Sequence, residues 1–210
     1  MSDFARAFPP GFARALLSGY ERWTTIPGEV PAAALLVSLT LPLIREQALI
    51  ERLPGITLDA RLWITAAGRS GVGKTTGVRD VRHRVGNSDV PVLDEASGPV
   101  GLLDALAELD GAAVLRVTEE AGLQWQALRD GDRNAIELQR YDLRLFDRDP
   151  ITRRSGDKRS DIRPGPLSSL EFAVSDQLPS ALCRADIESG FASRRCWLLA
   201  SDDPVDPARV

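Results

Sequence analysis

Gly68-Arg69-Ser70-Gly71-Val72-Gly73-Lys74-Thr75-Thr76 is the stretch on which the reading of this chain turns. Its spacing is G-x-x-x-x-G-K-[ST], a loop that cradles phosphate. Such a loop needs inward-pointing backbone N–H groups, and its three glycines let the chain curl tightly enough to supply them. It also needs a helix N-terminus behind it, whose free N–H groups and partial positive charge face the anion. The loop residues Gly68, Ser70, Gly71, Val72, Gly73, Lys74, Thr75 and Thr76 are therefore assigned to phosphate binding. Lys74 would sit at the outer phosphates, and the Thr75 hydroxyl would ligate Mg²⁺.

The flanks match what this loop requires. Arg61-Leu-Trp-Ile-Thr-Ala-Ala67 is a short, apolar, β-rich run, as expected of a strand ahead of the loop. Val78, Val81 and Val85 then recur at helical spacing up to Gly86.

An apolar fraction of 43 % and a charged fraction of 27 % exclude neither a large core nor a solvated surface, so no staple is required. Cys183 and Cys196 have no metal-type spacing and are read as reduced core thiols. His83 lies between Arg82 and Arg84 on the polar side of a helix, and no zinc site is expected. A net charge of −4 argues against a nucleic-acid coat but leaves room for a local basic strip. The most apolar run, Ala32 to Ile44, is too short to span a membrane and contains Pro42, so a cytoplasmic protein is expected.

Three parts are predicted: an N-terminal helical segment over 1–55 packed on the core, a phosphate-loop domain over 56–201, and a frayed tail over 202–210. Phe12, Leu16 and Tyr20 mark the first helix, and a more apolar one runs from Ala32 to about Arg52 with a break near Pro42. Leu49 to Leu58, around Pro54-Gly55, reads as a turn leading into the first sheet strand. Val90 to Leu93, Ala112 to Thr118, Leu170 to Val174 and Cys196 to Ala200 read as strands. Between them fall helices over 99–109, 123–128, 138–145 and 179–188. Strands alternating with helices predict a three-layer α/β domain with a mainly parallel five-stranded sheet and its ligand at the strands' carboxyl ends.

A phosphate loop of this kind works with a carboxylate near Mg²⁺ at the end of a neighbouring strand. Asp94-Glu95 and Glu119-Glu120 both qualify. The second pair is preferred, because it follows a longer apolar strand and leaves room for a complete strand–helix unit in between. Glu119 would hold the Mg²⁺ shell and Glu120 would polarise the attacking water. Aspartate is the usual metal-side residue. Glu119 is one methylene longer, which suits an ion reached through water or a weakened hydrolysis.

The order of these parts resembles the AAA+ and related RecA-like ATPases. More closely, it resembles the uncharacterised ATPase module of phage, plasmid and bacterial primase–helicase proteins. The resemblance is carried by Phe8-Pro9-Pro10, Pro31-Ala-Ala-Ala-Leu-Leu36, Gly68 to Thr76, Thr118-Glu119-Glu120-Ala-Gly122, Arg163-Pro-Gly-Pro-Leu-Ser168 and Ser189-Gly-Phe-Ala-Ser-Arg194. It implies the P-loop NTPase fold, ATP and Mg²⁺ as cofactors, and a homo-oligomeric ring. It further implies that Ser175, or Gln177 close by, contacts the γ-phosphate or the water. Arg194, with Arg195 next in line, would be an arginine finger for a neighbouring subunit's nucleotide. The chain ends about ten residues after its last strand, which leaves no length for the small helical lid of many relatives.

The segment 151–165 carries Arg153, Arg154, Lys158, Arg159 and Arg163, with Gly156-Asp157 as a candidate hairpin tip. In the proteins this chain resembles, an insertion here grips nucleic acid. These side chains would meet phosphates without reading bases. A solvated loop of mixed charge fits the same residues. Three activities follow as expectations: an ATP-hydrolysing motor of the helicase or translocase type acting on DNA, a nucleotide-dependent switch or assembly factor with slow turnover, and a small-molecule kinase. The last would use 147–167 as a lid, but no acceptor-binding signature is visible.

Overall fold

The computed structural model describes residues 6, 8–24, 26–71, 73–85, 90–93, 98–155 and 158–200. Val72, the Asp94-Glu95 pair, the Gly156-Asp157 tip and the 201–210 tail fall outside them. Two helices come first, α1 (Phe12–Trp23) and α2 (Glu29–Arg45), then a hairpin of β1 (Leu49–Leu53) and β2 (Ile56–Asp59). The central part runs β3 (Trp63–Gly68), α3 (Lys74–Val85), β4 (Val92–Leu93), α4 (Pro99–Glu108) and β5 (Val114–Thr118). Next come α5 (Ala121–Arg129), α6 (Arg133–Asp147) and a second hairpin, β6 (Ile151–Ser155) with β7 (Lys158–Ile162). The last elements are β8 (Leu167–Val174), the short helices α7 (Leu178–Ala181) and α8 (Arg184–Glu188), and β9 (Cys196–Leu199).

Five strands form one all-parallel sheet in the order β4-β5-β8-β3-β9. A parallel sheet is covered on both faces, and its inner strands are apolar runs rather than alternations. β3 and β5 obey this, with every residue buried. One face presents Ile64, Ala66, Leu115, Val117, Leu170 and Phe172 to α2. That helix begins with a run of small residues, Ala32-Ala33-Ala34, almost wholly buried, which lets it lie close on the strands. The expected break does not fall at Pro42 itself, and α2 runs one turn past it. The helix stops at Arg45, where Gln47 adopts φ 51 and the Ala48 N–H closes on the Leu43 carbonyl at 2.8 Å.

The opposite face is divided. Trp63, Val114 and Leu167 pack with α4, α6 and the second hairpin, while Ala67 and Ala173 pack with Trp125, Ala181 and Phe191. Between these apolar groups runs a polar strip of buried Thr65, Arg116, Ser169 and Glu171. Gly165 leads into β8 beneath the 111–112 turn. A Cβ there would lie 2.1 Å from the Ala112 carbonyl oxygen and 2.3 Å from that of Gly111. Gly165→Ala must push two crossing backbones apart. It is expected to cost about 2–3 kcal/mol, read as a lower urea midpoint at unchanged slope.

Three expectations change. Residues 49–59 are not a turn into the main sheet but a separate antiparallel hairpin, so the expected boundary at residue 55 falls on its tip. The helix expected over 179–188 is two short ones, broken at Leu182-Cys183. The cysteines are free but are not core thiols, since Cys196 is exposed and Cys183 half-buried. His83 is exposed, as expected of a residue on the polar side of α3. Among the described residues no helix is long and apolar enough to cross a membrane.

Candidate phosphate-binding site

The loop leaves the carboxyl end of β3 and enters α3 at Lys74, with Gly71 at φ 80 and Gly73 at φ 72. Gly73 is doubly constrained, because a Cβ would also lie 2.9 Å from the Ile26 side chain. The first turn of α3 carries no acidic residue to compete for an anion. Its first internal bond runs from the Gly77 N–H to the Gly73 carbonyl, so the amides of 74–76 have no helical carbonyl to meet.

Lys74 Nζ donates to the carbonyls of Arg69 (2.9 Å) and Gly68 (3.3 Å), folding the ammonium back over the loop. Partial burial pushes its pKa below the ordinary lysine value, because the charged form loses water. The Thr75 hydroxyl donates to Glu119 Oε2 at 3.0 Å. Forty-four residues separate this pair, and β8 lies between their strands. Glu120 follows at the start of α5, exposed like Glu119.

Ser175 stands at the carboxyl end of β8, in a turn over Ser175–Gln177. Its Oγ is buried and has no hydrogen-bond partner. An orphaned buried hydroxyl is costly and calls for a partner from outside the chain. Gln177 lies against Gly122, near enough that a Cβ on Gly122 would meet its Oε1 at 2.7 Å. The loop after β8 thus reaches the start of α5, two residues past Glu120.

Arg194 lies elsewhere. β9 runs parallel to β3 with Cys196 opposite Ile64, so Arg194 sits at the amino end of the sheet. At the rise of a strand this is roughly 20 Å from the loop of the same chain. Its guanidinium donates to Asp147 at 2.8 Å and to the Gly190 carbonyl at 3.2 Å, and it lies over the Phe146 ring. Arg195 is not a second finger. It is buried, bonded to Glu171, Asp142 and the Phe191 carbonyl, and its guanidinium carbon is 3.9 Å from the Phe191 ring centroid.

No protein-family model matches this chain, and no curated protein matches it either. What the site does must be argued from its own residues.

One feature beside the site was not foreseen from the sequence. Arg116 makes a two-pronged contact with Asp142 (2.6 and 3.2 Å) and reaches Glu171 at 3.3 Å. Arg195 grips Glu171 through Nε (2.8 Å) and Nη2 (3.1 Å) and touches Asp142 at 3.0 Å. Thr65 donates to Glu171 at 3.0 Å. Two cations and two anions thus close a buried quartet between β5, α6, β8 and the residue just before β9. Burial pushes the Glu171 carboxyl up, but Arg195 and Arg116, with Thr65, hold it below the usual range. Burial likewise acts against the Arg116 charge, and Asp142 and Glu171 more than reverse it. Arg116 lies three residues before Glu119 along β5, and Glu171 four residues before Ser175 along β8.

Hard oxygen donors at Thr75 and Glu119 suit Mg²⁺ bound largely through water and substrate phosphates. Among the described residues no group of three or more His, Cys, Asp or Glu forms a metal cage.

Proposed function

We propose that this chain binds and hydrolyses a nucleoside triphosphate, ATP by resemblance, with Mg²⁺ held beside Thr75 and Glu119. The observation that carries this reading is the Thr75–Glu119 contact at 3.0 Å. It joins the threonine of the phosphate loop to the acidic pair chosen independently from the sequence. In this reading the P-loop cradles the phosphates, and Lys74 turns from the Gly68 and Arg69 carbonyls to the outer phosphate oxygens. Mg²⁺, when bound, would neutralise charge on the phosphate chain. Glu120 orients and deprotonates water, and the orphaned Ser175 hydroxyl supports a contact to the γ-phosphate or that water.

The motor reading adds DNA. Antiparallel β6 and β7 support a projecting arm, with Arg154 opposite Arg159 and Ser155 opposite Lys158 in register. Phosphate contacts by Arg153, Arg154, Lys158 and Arg159 would be sequence-independent and salt-sensitive. Turnover stimulated by single- or double-stranded DNA, and losing that stimulation as salt rises, is the expected result. Turnover indifferent to DNA in a persistent monomer removes the motor.

A second reading, a nucleotide-dependent switch with slow turnover, is favoured by Arg194. In this chain it is committed to Asp147, and by register it stands far from the chain's own loop. A lone subunit then has Lys74 but no arginine finger for the transferring phosphoryl group, and fast turnover waits for a neighbour. Arg194→Ala is expected to bind nucleotide as the unaltered chain does, yet turn it over at least tenfold more slowly in the assembled state. Equal turnover by the variant at high protein concentration removes Arg194 from the reaction.

A further inference from the structure

The first hairpin has a face that no described residue buries. β1 and β2 pair Ile50 with Leu58, Glu51 with Thr57 and Leu53 with Ile56. Partners in an antiparallel ladder share a face, and alternate residues of a strand share a face. Residue 52 is the extra one, and this bulge moves Leu53 onto the side that Ile50 occupies. Ile50, Leu53, Ile56 and Leu58 therefore form one aliphatic surface, and each is 48–56 % exposed. Glu51 takes the other side, and its carboxylate accepts the Gly55 N–H at 3.1 Å. A two-stranded ribbon is marginal by itself in water, and a bulge that gathers four aliphatic side chains on its open face does not make it more soluble.

Two more exposed leucines stand on α2, the helix that leads into β1. Leu39 and Leu43 are exposed one turn apart near its end, and the Leu43 carbonyl holds the Ala48 N–H next to β1. These six side chains leave on the order of 500 Å² of apolar surface in water, close to the apolar share of a standard interface of about 800 Å² per partner.

We propose that this surface is where a second copy of the chain docks, the two hairpins stacking face to face about a two-fold axis. Three observations select that occupant. Its described side chains are all aliphatic, as in an interface that resembles a core cut in half. A ribbon with one apolar face can complement itself under two-fold rotation. The charges nearest to it in sequence, Arg45, Glu46, Glu51 and Arg52, cancel, and the chain carries −4 overall, which disfavours an anionic membrane. The contact is independent of the nucleotide reading, because it forms without nucleotide and is measured without turnover.

The test is sedimentation equilibrium of the whole chain, nucleotide-free, from about 1 to 100 μM, a range that brackets Kd values of ordinary dimers. A dimer is expected. Ile50→Glu and Leu58→Glu should each weaken it at least about 100-fold, with unchanged circular dichroism, while Glu51→Gln on the other side leaves it intact. Hydrogen exchange on the unaltered chain gives a readout that needs no variant, since β1 and β2 amides should become more protected as concentration rises. A monomer throughout the range overturns the proposal. So does a dimer that both glutamate variants retain, or lipid-vesicle binding that those variants abolish.

Discussion

Lys74→Ala is expected to leave a folded protein that binds nucleoside triphosphate at least about a hundred-fold more weakly and no longer hydrolyses it measurably. The side chain is only partly buried, and its partners are two loop carbonyls, so its loss costs the fold little. The loss to a bound polyphosphate is larger. Two charge-assisted contacts to phosphate oxygens, at about 1.5–3 kcal/mol each, correspond to a hundred-fold or more in affinity. The depressed pKa of the ammonium makes it a cation already short of water and ready to exchange carbonyls for phosphate. A fluorescent triphosphate analogue titrated against both proteins, with thermal melts alongside, reads both effects. Undiminished binding by a folded Lys74→Ala protein would show that Gly68 to Thr76 is only a turn.

Arg195→Met is expected to be the most damaging single replacement for stability, at about 3–5 kcal/mol, because it strands Glu171 and Asp142 with one guanidinium between them. Against a total of about 5–15 kcal/mol this is a large fraction, and a fall in Tm of about 10 °C follows for a domain of this size. The sign of the pH dependence follows from Glu171. Its carboxyl titrates lower in the folded chain than in the unfolded one, so the stabilisation is complete above the unfolded value of about 4.3 and drains away as pH falls below it. Removing all four charges at once, with Met and Leu at 116, 142, 171 and 195, should cost far less than Arg195→Met alone. If instead the four-fold apolar variant unfolds and Arg195→Met does not, the quartet is not a closed electrostatic unit.

The turn from β3 into α3 was legible because its residue types are dictated by backbone geometry: Gly71 and Gly73 do take positive φ. The position of Glu119 beside Thr75 was legible because a buried parallel strand announces itself as an apolar run, and the residues after its end lie at the loop's end of the sheet. The quartet was not. Arg116 stands inside that same run, 26 residues from Asp142 and 55 from Glu171, and no local pattern links charges that meet only in three dimensions. Arg195 was read as next in line after Arg194, yet consecutive residues entering a strand point opposite ways, one inward and one out. The first hairpin was missed for a local reason. Its bulge breaks the alternation by which a strand is recognised, so Ile50 and Leu53 looked out of phase when they share a face. The Asp94-Glu95 alternative lies outside the described residues, and the Thr75–Glu119 contact supports the other pair without excluding it.

Trp63 gives the protein a built-in optical gauge. Its ring is buried, its Nε1 donates to the Leu167 carbonyl at 2.7 Å, and the guanidinium carbons of Arg116 and Arg195 lie 5.2 and 5.1 Å from it. The excited state of an indole shifts its charge across the ring, so its emission colour responds to the electric field of ions this close. Protonating Glu171 removes one of the two anions that balance those cations while the ring remains enclosed. A change in the emission of Trp63 would then precede any loss of helix signal on acidification, and light emitted on one side of the sheet would register the charge state beneath the loop on its end.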